Sequence, residues 1–197
     1  MPQKYNDLIV GDIVDTLNNS GVVILPTDTV YGLAIRLDDE VALDKIYKIK
    51  GRDKGKKLAM LVNSFEMLKD HVVIGDDVLK KLSSVFPGPL TLVCKDKRKQ
   101  ADTLAVRMIN NELINEVIKH LGKPILITSA NKSGDQPISD LEELISAFEG
   151  QVDIIIAGNK LKGRPSTILD ITSEEFKILR EGKISKEEIE KLLHDSN

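Results

Sequence analysis

The sequence predicts one α/β domain: a twisted, mixed β-sheet flanked by helices, with a basic concave pocket where strands give way to loops. Three observations predict it. Helix-period and strand-period apolar segments alternate from end to end of the 197 residues. The runs Val22–Leu25, Ile125–Ile127 and Ile154–Ile156 are apolar on both faces, as strands in the middle of a covered sheet must be. Polar-and-glycine motifs sit at the edges of the apolar runs, where ligand sites of α/β proteins gather. The length fits a single domain over 1–197. A chain of this size buries roughly 70% of its unfolded surface, enough for a core without staples.

The elements follow in order. Asp7–Asn19 carries Leu8, Ile13 and Leu17 at helical spacing, with Gly21 beyond as a stop. Val22–Leu25 is a short buried strand ended by Pro26, and Leu33–Leu37 is a second strand. Val41–Ile49 is a helix through Leu43, Ile46 and Ile49, and Leu58–Val62 is a strand. Ser64–Lys69 and Asp76–Phe86 are expected as short helices, and Leu90–Val93 and Leu104–Met108 as strands. Leu113, Ile114, Val117, Ile118 and Leu121 mark an amphipathic helix stopped by Gly122 and Pro124. After the strand Ile125–Ile127, Ser139 with Glu142 has the spacing of a capping box and opens a helix through Leu141, Leu144, Ile145 and Phe148. Ile154–Ile156, Ile168–Ile171 and Lys177–Leu179 are strands. Ser185 with Glu188 is a second capping box, opening a C-terminal helix over 185–195. Lys160–Ser166 reads as a mobile loop with Leu161 as its sole apolar residue.

Composition excludes several classes. Net charge is −3, so the chain as a whole is not a nucleic-acid polyelectrolyte. Cys94 is the only cysteine, which rules out an intramolecular disulfide and a Cys-rich zinc site. It lies beside the apolar run Leu90–Val93 and reads as core filler. His71, His120 and His194 are too widely spaced to suggest a metal cage. The first twenty residues lack a basic start followed by an apolar stretch, and no run approaches a membrane span. The expectation is a cytoplasmic protein without a membrane partner.

The chemistry lies in the motifs. From Lys45 to Lys57 there are seven basic residues and one acid, Asp53. The helix ending at Ile49 would carry Lys50 and Arg52 to a loop suited to polyphosphate, Arg through its fork and Lys as a point charge. A solvated helix face would explain the same letters. Thr128-Ser129-Ala130-Asn131 follows a buried strand and could hold phosphate or sugar oxygens, or form a plain turn. Pro26-Thr27-Asp28-Thr29-Val30-Tyr31-Gly32 could receive a carboxylate or an amine, or make an ST-turn. Pro87-Gly88-Pro89-Leu90-Thr91 reads most simply as a rigid turn into a strand. Arg107 sits in an apolar strand and needs a partner, either an anionic ligand or a buried Asp or Glu. Gly163-Arg164-Pro165-Ser166-Thr167 and Leu179-Arg180-Glu181-Gly182 place Ser166 and Arg180 near the ends of strands. The P-loop and dinucleotide fingerprints and the Gly-x-Ser-x-Gly elbow are absent.

In this order and spacing the motifs resemble the YrdC/TsaC family, the L-threonylcarbamoyladenylate synthases. The resemblance covers about residues 8–182 and is carried by Lys50-x-Arg52, Ser129-x-Asn131 and Pro26–Gly32. It implies a YrdC-like domain in its single-domain form. It also implies a nucleotidyltransferase that converts L-threonine, bicarbonate and ATP into threonylcarbamoyl-AMP and pyrophosphate, with Mg²⁺ on the phosphates. The product would feed threonylcarbamoyladenosine (t6A) in tRNA processing, which makes tRNA or a tRNA-modification complex an expected partner.

Matched position by position, the resemblance implies that Thr29, Arg107 and Ser166 hold L-threonine, with the backbones near Leu61 and Ile127 lining the same subsite. It implies that Arg52, Lys56, Thr103, Ser129, Pro137 and Arg180 hold ATP. Lys50, Arg52, Ser129 and Asn131 form the implied catalytic signature, and no protein metal site is expected. The chain departs from the family pattern at Lys57 and Ile109, each in place of a frequent proline, and at Asp28, in place of a commoner glutamate. Two other readings compete. An RNA-binding module taking tRNA or double-stranded RNA would need more aromatic residues and less acid. A carbamoyl-transfer domain of the hydrogenase-maturation type would bring Cys-rich zinc modules. The extra C-terminal domain of longer synthases is not expected, because the chain stops soon after Arg180.

Overall fold

The computed structural model describes residues 7–99, 101–158, 161 and 163–194. Its strands are β1 (Val23–Pro26), β2 (Tyr31–Arg36), β3 (Ala59–Val62), β4 (Val72–Val73), β5 (Leu90–Asp96), β6 (Thr103–Met108), β7 (Ile125–Ser129), β8 (Ile154–Ile155), β9 (Thr167–Asp170) and β10 (Lys177–Arg180). Its helices are α1 (Asp7–Asn18), α2 (Glu40–Lys50), α3 (Phe65–His71), α4 (Asp76–Lys81), α5 (Glu112–Leu121), α6 (Leu141–Phe148) and α7 (Lys186–His194). The strands form one open sheet in the order β10-β9-β5-β6-β3-β7-β2-β1-β8, with β4 added beside β5. The sheet is mixed: β3–β6, β5–β9 and β1–β8 pair in parallel, and the remaining pairs are antiparallel.

Period-two alternation explains why the central strands are apolar throughout. Val23 and Leu25 of β1 join a core with α1 and α5, through Ile13, Leu17, Leu113 and Val117. Ile24, between them, joins the opposite core with α2 and α6, through Ile46, Leu144 and Phe148. A third core gathers Leu92, Cys94 and Val106 from β5 and β6 with Leu68, Leu82 and Ile189. Helices therefore cover both faces, and the loops between strands are left to build a site.

Several element edges differ from the sequence expectation. The helix expected over Asp76–Phe86 stops at Lys81, and a turn leads to Pro87, which disfavours helical backbone at the residue before it. The cap of α6 is Asp140, whose carboxylate accepts from the backbone N–H of Glu142 and Glu143, in place of the expected Ser139 box. A carboxylate at a helix N-terminus also meets the positive end of the dipole, which a serine does not exploit. Ser185 does cap α7, accepting from Glu188 N at 3.2 Å. The two-residue strand β4 had no sequence signal. Strand β7 runs on to Ser129, so Thr128 and Ser129 belong to the sheet, with Ser129 opposite Gly32. In the loop expected over Lys160–Ser166, Lys160 and Lys162 lie outside the described residues.

Candidate functional site

The segment between β1 and β2 is folded by its own hydroxyls. Thr27 Oγ1 accepts from the N–H groups of Thr29 and Val30, each at 3.1 Å, and donates to Val30 O. This ST-turn, one of the two readings of the motif, turns Thr29 toward Arg107 of β6. Val106 points into the core, so its strand neighbour Arg107 points the other way. Arg107 is buried and donates three ways: to Gly88 O at 3.3 Å, to Thr29 Oγ1 at 3.1 Å and to Asp28 Oδ1 at 2.5 Å. Burial lowers its pKa, and the Asp28 carboxylate opposes that shift. The partner that the buried arginine requires is thus an acid of the chain itself.

A second wall comes from the loop before β9. Ser166 Oγ and Thr91 Oγ1 of β5 are hydrogen-bonded at 2.7 Å, both buried. Arg180 donates from Nε and Nη2 to Ser166 O, at 3.3 and 2.8 Å. Two glycines make this closeness possible. A Cβ on Gly163 would stand 1.7 Å from Thr29 O, and one on Gly182 would stand 2.2 Å from Pro165 O. The 163–166 segment therefore lies directly against Thr29.

The third wall is the basic loop after α2. Asp39 caps this helix, and Gly51 ends it in left-handed backbone at φ 58°. That turn separates Lys50 from Arg52. Arg52 donates to the carbonyls of Lys56 and Lys57, each at 3.1 Å, and to Thr128 Oγ1 at 3.5 Å. Lys50 turns inward. Its Nζ donates to Ser129 O at 2.5 Å and to Asn131 O at 2.7 Å. Burial, then the nearby charges of Arg52 and Lys132, push its pKa down to about 8.

One cavity of about 200 Å³ results. Among the sequence-predicted residues, Thr29, Arg52, Arg107 and Ser129 line it together with Ile127, Ser166 and Arg180. The other six do not. Lys50 is buried behind the Ser129–Asn131 turn, engaged by carbonyls. Asn131 is buried as well and spends its amide N–H groups on Lys132 O and Asp135 O. Leu61 packs into the core beside α5. Lys56 and Thr103 are exposed and meet site residues only through their carbonyls, which accept from Arg52 and Lys57. Pro137 is half-buried and outside the cavity wall. Lys57, Thr91 and Thr128 line the cavity too; the Thr128 hydroxyl belongs to the motif expected to hold phosphate or sugar oxygens, whereas Lys57 and Thr91 were not expected as site residues. Thr91 lies in the Pro87–Thr91 segment, whose simplest reading is a turn, and Lys57 carries no signal beyond its departure from the family's frequent proline.

The arrangement is a hollow with several fixed cations and hydroxyls at strand ends, suited to a ligand carrying more than one anionic group. A protein-family model, Sua5/yciO/yrdC, described as "Telomere recombination", matches residues 15–182. The chain belongs to the Sua5/YciO/YrdC family. Solved structures agree. E. coli YciO is 25% identical, with a TM-score of 0.85 over 95% of each chain. P. abyssi Sua5, in its crystal structure complexed with L-threonine, is 30% identical with a TM-score of 0.90. That match covers 98% of this chain and 59% of Sua5. T. kodakarensis HypF, at 13% identity and a TM-score of 0.75 over 88% of this chain and 24% of that one, shares the fold.

This Sua5/YciO/YrdC chain keeps its lone thiol out of the chemistry. Cys94 is fully buried, and burial, with Asp170 nearby, pushes its pKa up to about 12. Among the described residues no cluster of three His, Cys, Asp or Glu could hold a metal ion, and no helix is long and apolar enough to cross a membrane.

Proposed function

We propose that this chain is an L-threonylcarbamoyladenylate synthase, a nucleotidyltransferase acting on L-threonine, bicarbonate and ATP. The observation that carries this reading is the convergence of Arg107 with Thr29 and of Arg52 with Thr128 on one cavity. One cation suits the carboxylate of an amino acid, and the other suits the phosphates of a nucleotide. The L-threonine complexed with P. abyssi Sua5 supports the first assignment.

In this reading Arg107 receives the threonine carboxylate, with the hydroxyls of Thr29 and Ser166 beside it. The unprotonated amine attacks the carbon of bicarbonate, and water leaves as the carbamate forms. A carbamate oxygen then attacks the α-phosphorus of ATP, and pyrophosphate departs with the bonding electron pair. Arg52 and Arg180 neutralise the phosphate charge, and Ser129 stands beside them on the cavity wall. The protein's work is positioning and charge stabilisation. Lys50 and Asn131 act by shaping the turn after Ser129. Among the described residues no His, Cys, Asp or Glu cluster forms a metal cage, so Mg²⁺ would enter as the companion of ATP, with the phosphates as its main ligands, and no step depends on a protein metal site. The product would be consumed by a partner that transfers threonylcarbamoyl to tRNA, and we place the reaction in the cytoplasm with its nucleotide and tRNA.

Mass spectrometry of the purified chain with ATP, bicarbonate and L-threonine tests this. Threonylcarbamoyl-AMP and pyrophosphate should appear together and require all three substrates. L-Serine should substitute poorly, with a penalty of roughly 10–200-fold for one methyl group. Salt-dependent retention of RNA with no turnover of ATP would overturn the reading in favour of an RNA-binding module.

A further inference from the structure

Arg107 is already engaged by a carboxylate. Asp28 Oδ1 lies 2.5 Å from its Nη2, with the Asp28 side chain 20% exposed and that of Arg107 8%. Among the described residues, no other side-chain cation pairs with the Asp28 carboxylate; the Lys183 ammonium donates instead to the Asp28 backbone carbonyl, at 3.4 Å. The guanidinium has five N–H donors. Three are directed at Gly88 O, Thr29 Oγ1 and Asp28 Oδ1, which leaves one on each terminal nitrogen for a ligand. A second carboxylate reaching those donors would come close to Asp28 beside a buried guanidinium, where like charges interact more strongly than in bulk water. The charged side chains that line the cavity, Arg52, Lys57, Arg107 and Arg180, are all cationic, and Asp28 reaches the site through its pair with Arg107. Asp28 is therefore the negative charge set directly on the carboxylate-recognising group.

We propose that Asp28 is a resident counter-ion that competes with the substrate carboxylate for Arg107 and so sets the affinity of the amino-acid subsite. This rests on the reading of Arg107 as the threonine-carboxylate receptor. The arrangement has two consequences. The pair keeps a buried guanidinium compensated and aimed before substrate arrives, because an unpaired buried charge is costly. It also subtracts the same electrostatic amount from every carboxylate ligand. Only a ligand that adds contacts of its own, such as those available at Thr29 and Ser166, then binds well. Asp28 in this role is a positioning and specificity residue and takes no part in bond making.

The test is calorimetric titration of L-threonine into the intact protein and into Asp28→Asn, Asp28→Ser and Asp28→Glu. Each neutral variant should bind L-threonine about tenfold more tightly, a change of about 1.4 kcal/mol. Asp28→Glu, which restores the charge, should stay within about threefold of the parent. The hydroxy-acid analogue of threonine, which lacks the amine, should gain by the same factor as threonine, since only the carboxylate is at issue. If folded Asp28→Asn and Asp28→Ser bind threonine no more tightly than the parent, the proposal is wrong. A loss confined to threonine and spared in the hydroxy acid would also overturn it, by making Asp28 the partner of the ammonium. If threonine binds neither parent nor variants while ATP binds, the threonine reading itself fails and takes this inference with it. The use of two neutral variants guards against one that does not fold, which a thermal melt reports.

Discussion

The ammonium of Lys50 lies 2.7 Å from the carbonyl oxygen of Asn131, behind the turn that follows Ser129 and away from the cavity. Its second bond, to Ser129 O, ties the last residue of β7 to the last residue of α2. A lysine side chain thus does the work that backbone pairing does elsewhere in the sheet. Lys50→Met should take the ammonium from Asn131 O and leave Ser129 O with the Asn131 N–H alone, at 3.1 Å, lowering stability by about 2 kcal/mol. Activity should fall as well, through disorder at Ser129, and Lys50→Arg should not restore it in so confined a space. Chemical denaturation and turnover on the same samples measure both effects.

The same lysine predicts a pH dependence with a definite sign. Burial, followed by the charges of Arg52 and Lys132, lowers its pKa from the ordinary 10.5 to about 8. Between those values the unfolded chain holds a proton that the folded chain has released, so stability contributed by Lys50 rises with pH. Below about 8 both states are charged and the cost of burial is present in full. The neutral amine keeps two N–H donors, enough for both carbonyls. The stability difference between the parent and Lys50→Met should therefore shift in favour of the parent from pH 8 to pH 10.5. A difference that stays flat across that range would mean that the buried amine is not the titrating group.

Cys94 should be inert while the protein is folded. Its sulfur is sealed in the core between β5 and α7 and its pKa is pushed up to about 12, so almost no thiolate exists at neutral pH. A thiol reagent at pH 8 should label one site per chain in denaturant and essentially none in native buffer. Labelling of the native protein at the rate of a free thiol would contradict this placement.

Arg52 is expected to separate catalysis from folding. Its donors go to two carbonyls of its own loop and to Thr128, and none of these contacts holds a core together. Arg52→Ala should reduce pyrophosphate release from ATP, threonine and bicarbonate about a hundredfold or more while moving the melting temperature by only a few degrees. Lys57 lines the same cavity but is exposed and shares its ammonium with Asp102 and Thr103, so Lys57→Ala should cost only a few-fold. Equal effects of the two substitutions would mean that bulk positive charge matters and the fixed fork of Arg52 does not.

Much of the fold was legible because burial on two faces leaves a two-sided signature. Val22 to Leu25 could only be a covered strand, and its residues do divide between opposite cores. Strand β4 was illegible because two residues carry no period. The edge of α6 was displaced because Ser139 and Asp140 are both competent caps, and only the packed helix decides between them. The site was legible as segments and much less so as directions. Lys50 and Arg52 stand one residue apart on either side of Gly51, and the left-handed turn there sends one inward and the other to the cavity. No spacing rule could reveal the Asp28–Arg107 pair, since 79 residues separate the two partners.

The hydroxyl pair Thr91–Ser166 offers a test that distinguishes packing from recognition. The two oxygens are 2.7 Å apart and both side chains are buried, so removing Ser166 takes the partner from Thr91, and removing Thr91 leaves Ser166 Oγ with only the long 3.5 Å bond from Arg180. Ser166→Ala alone and Thr91→Val alone should each destabilise by about 1–2 kcal/mol. The double variant should be less destabilised than the sum of the two, because it leaves no orphaned hydroxyl. Binding should follow a different rule. If Ser166 serves threonine as well as Thr91, the double variant stays as weak for threonine as Ser166→Ala, even where its stability recovers. Recovery of threonine affinity together with stability would reduce Ser166 to a structural partner of Thr91 and remove it from the amino-acid subsite.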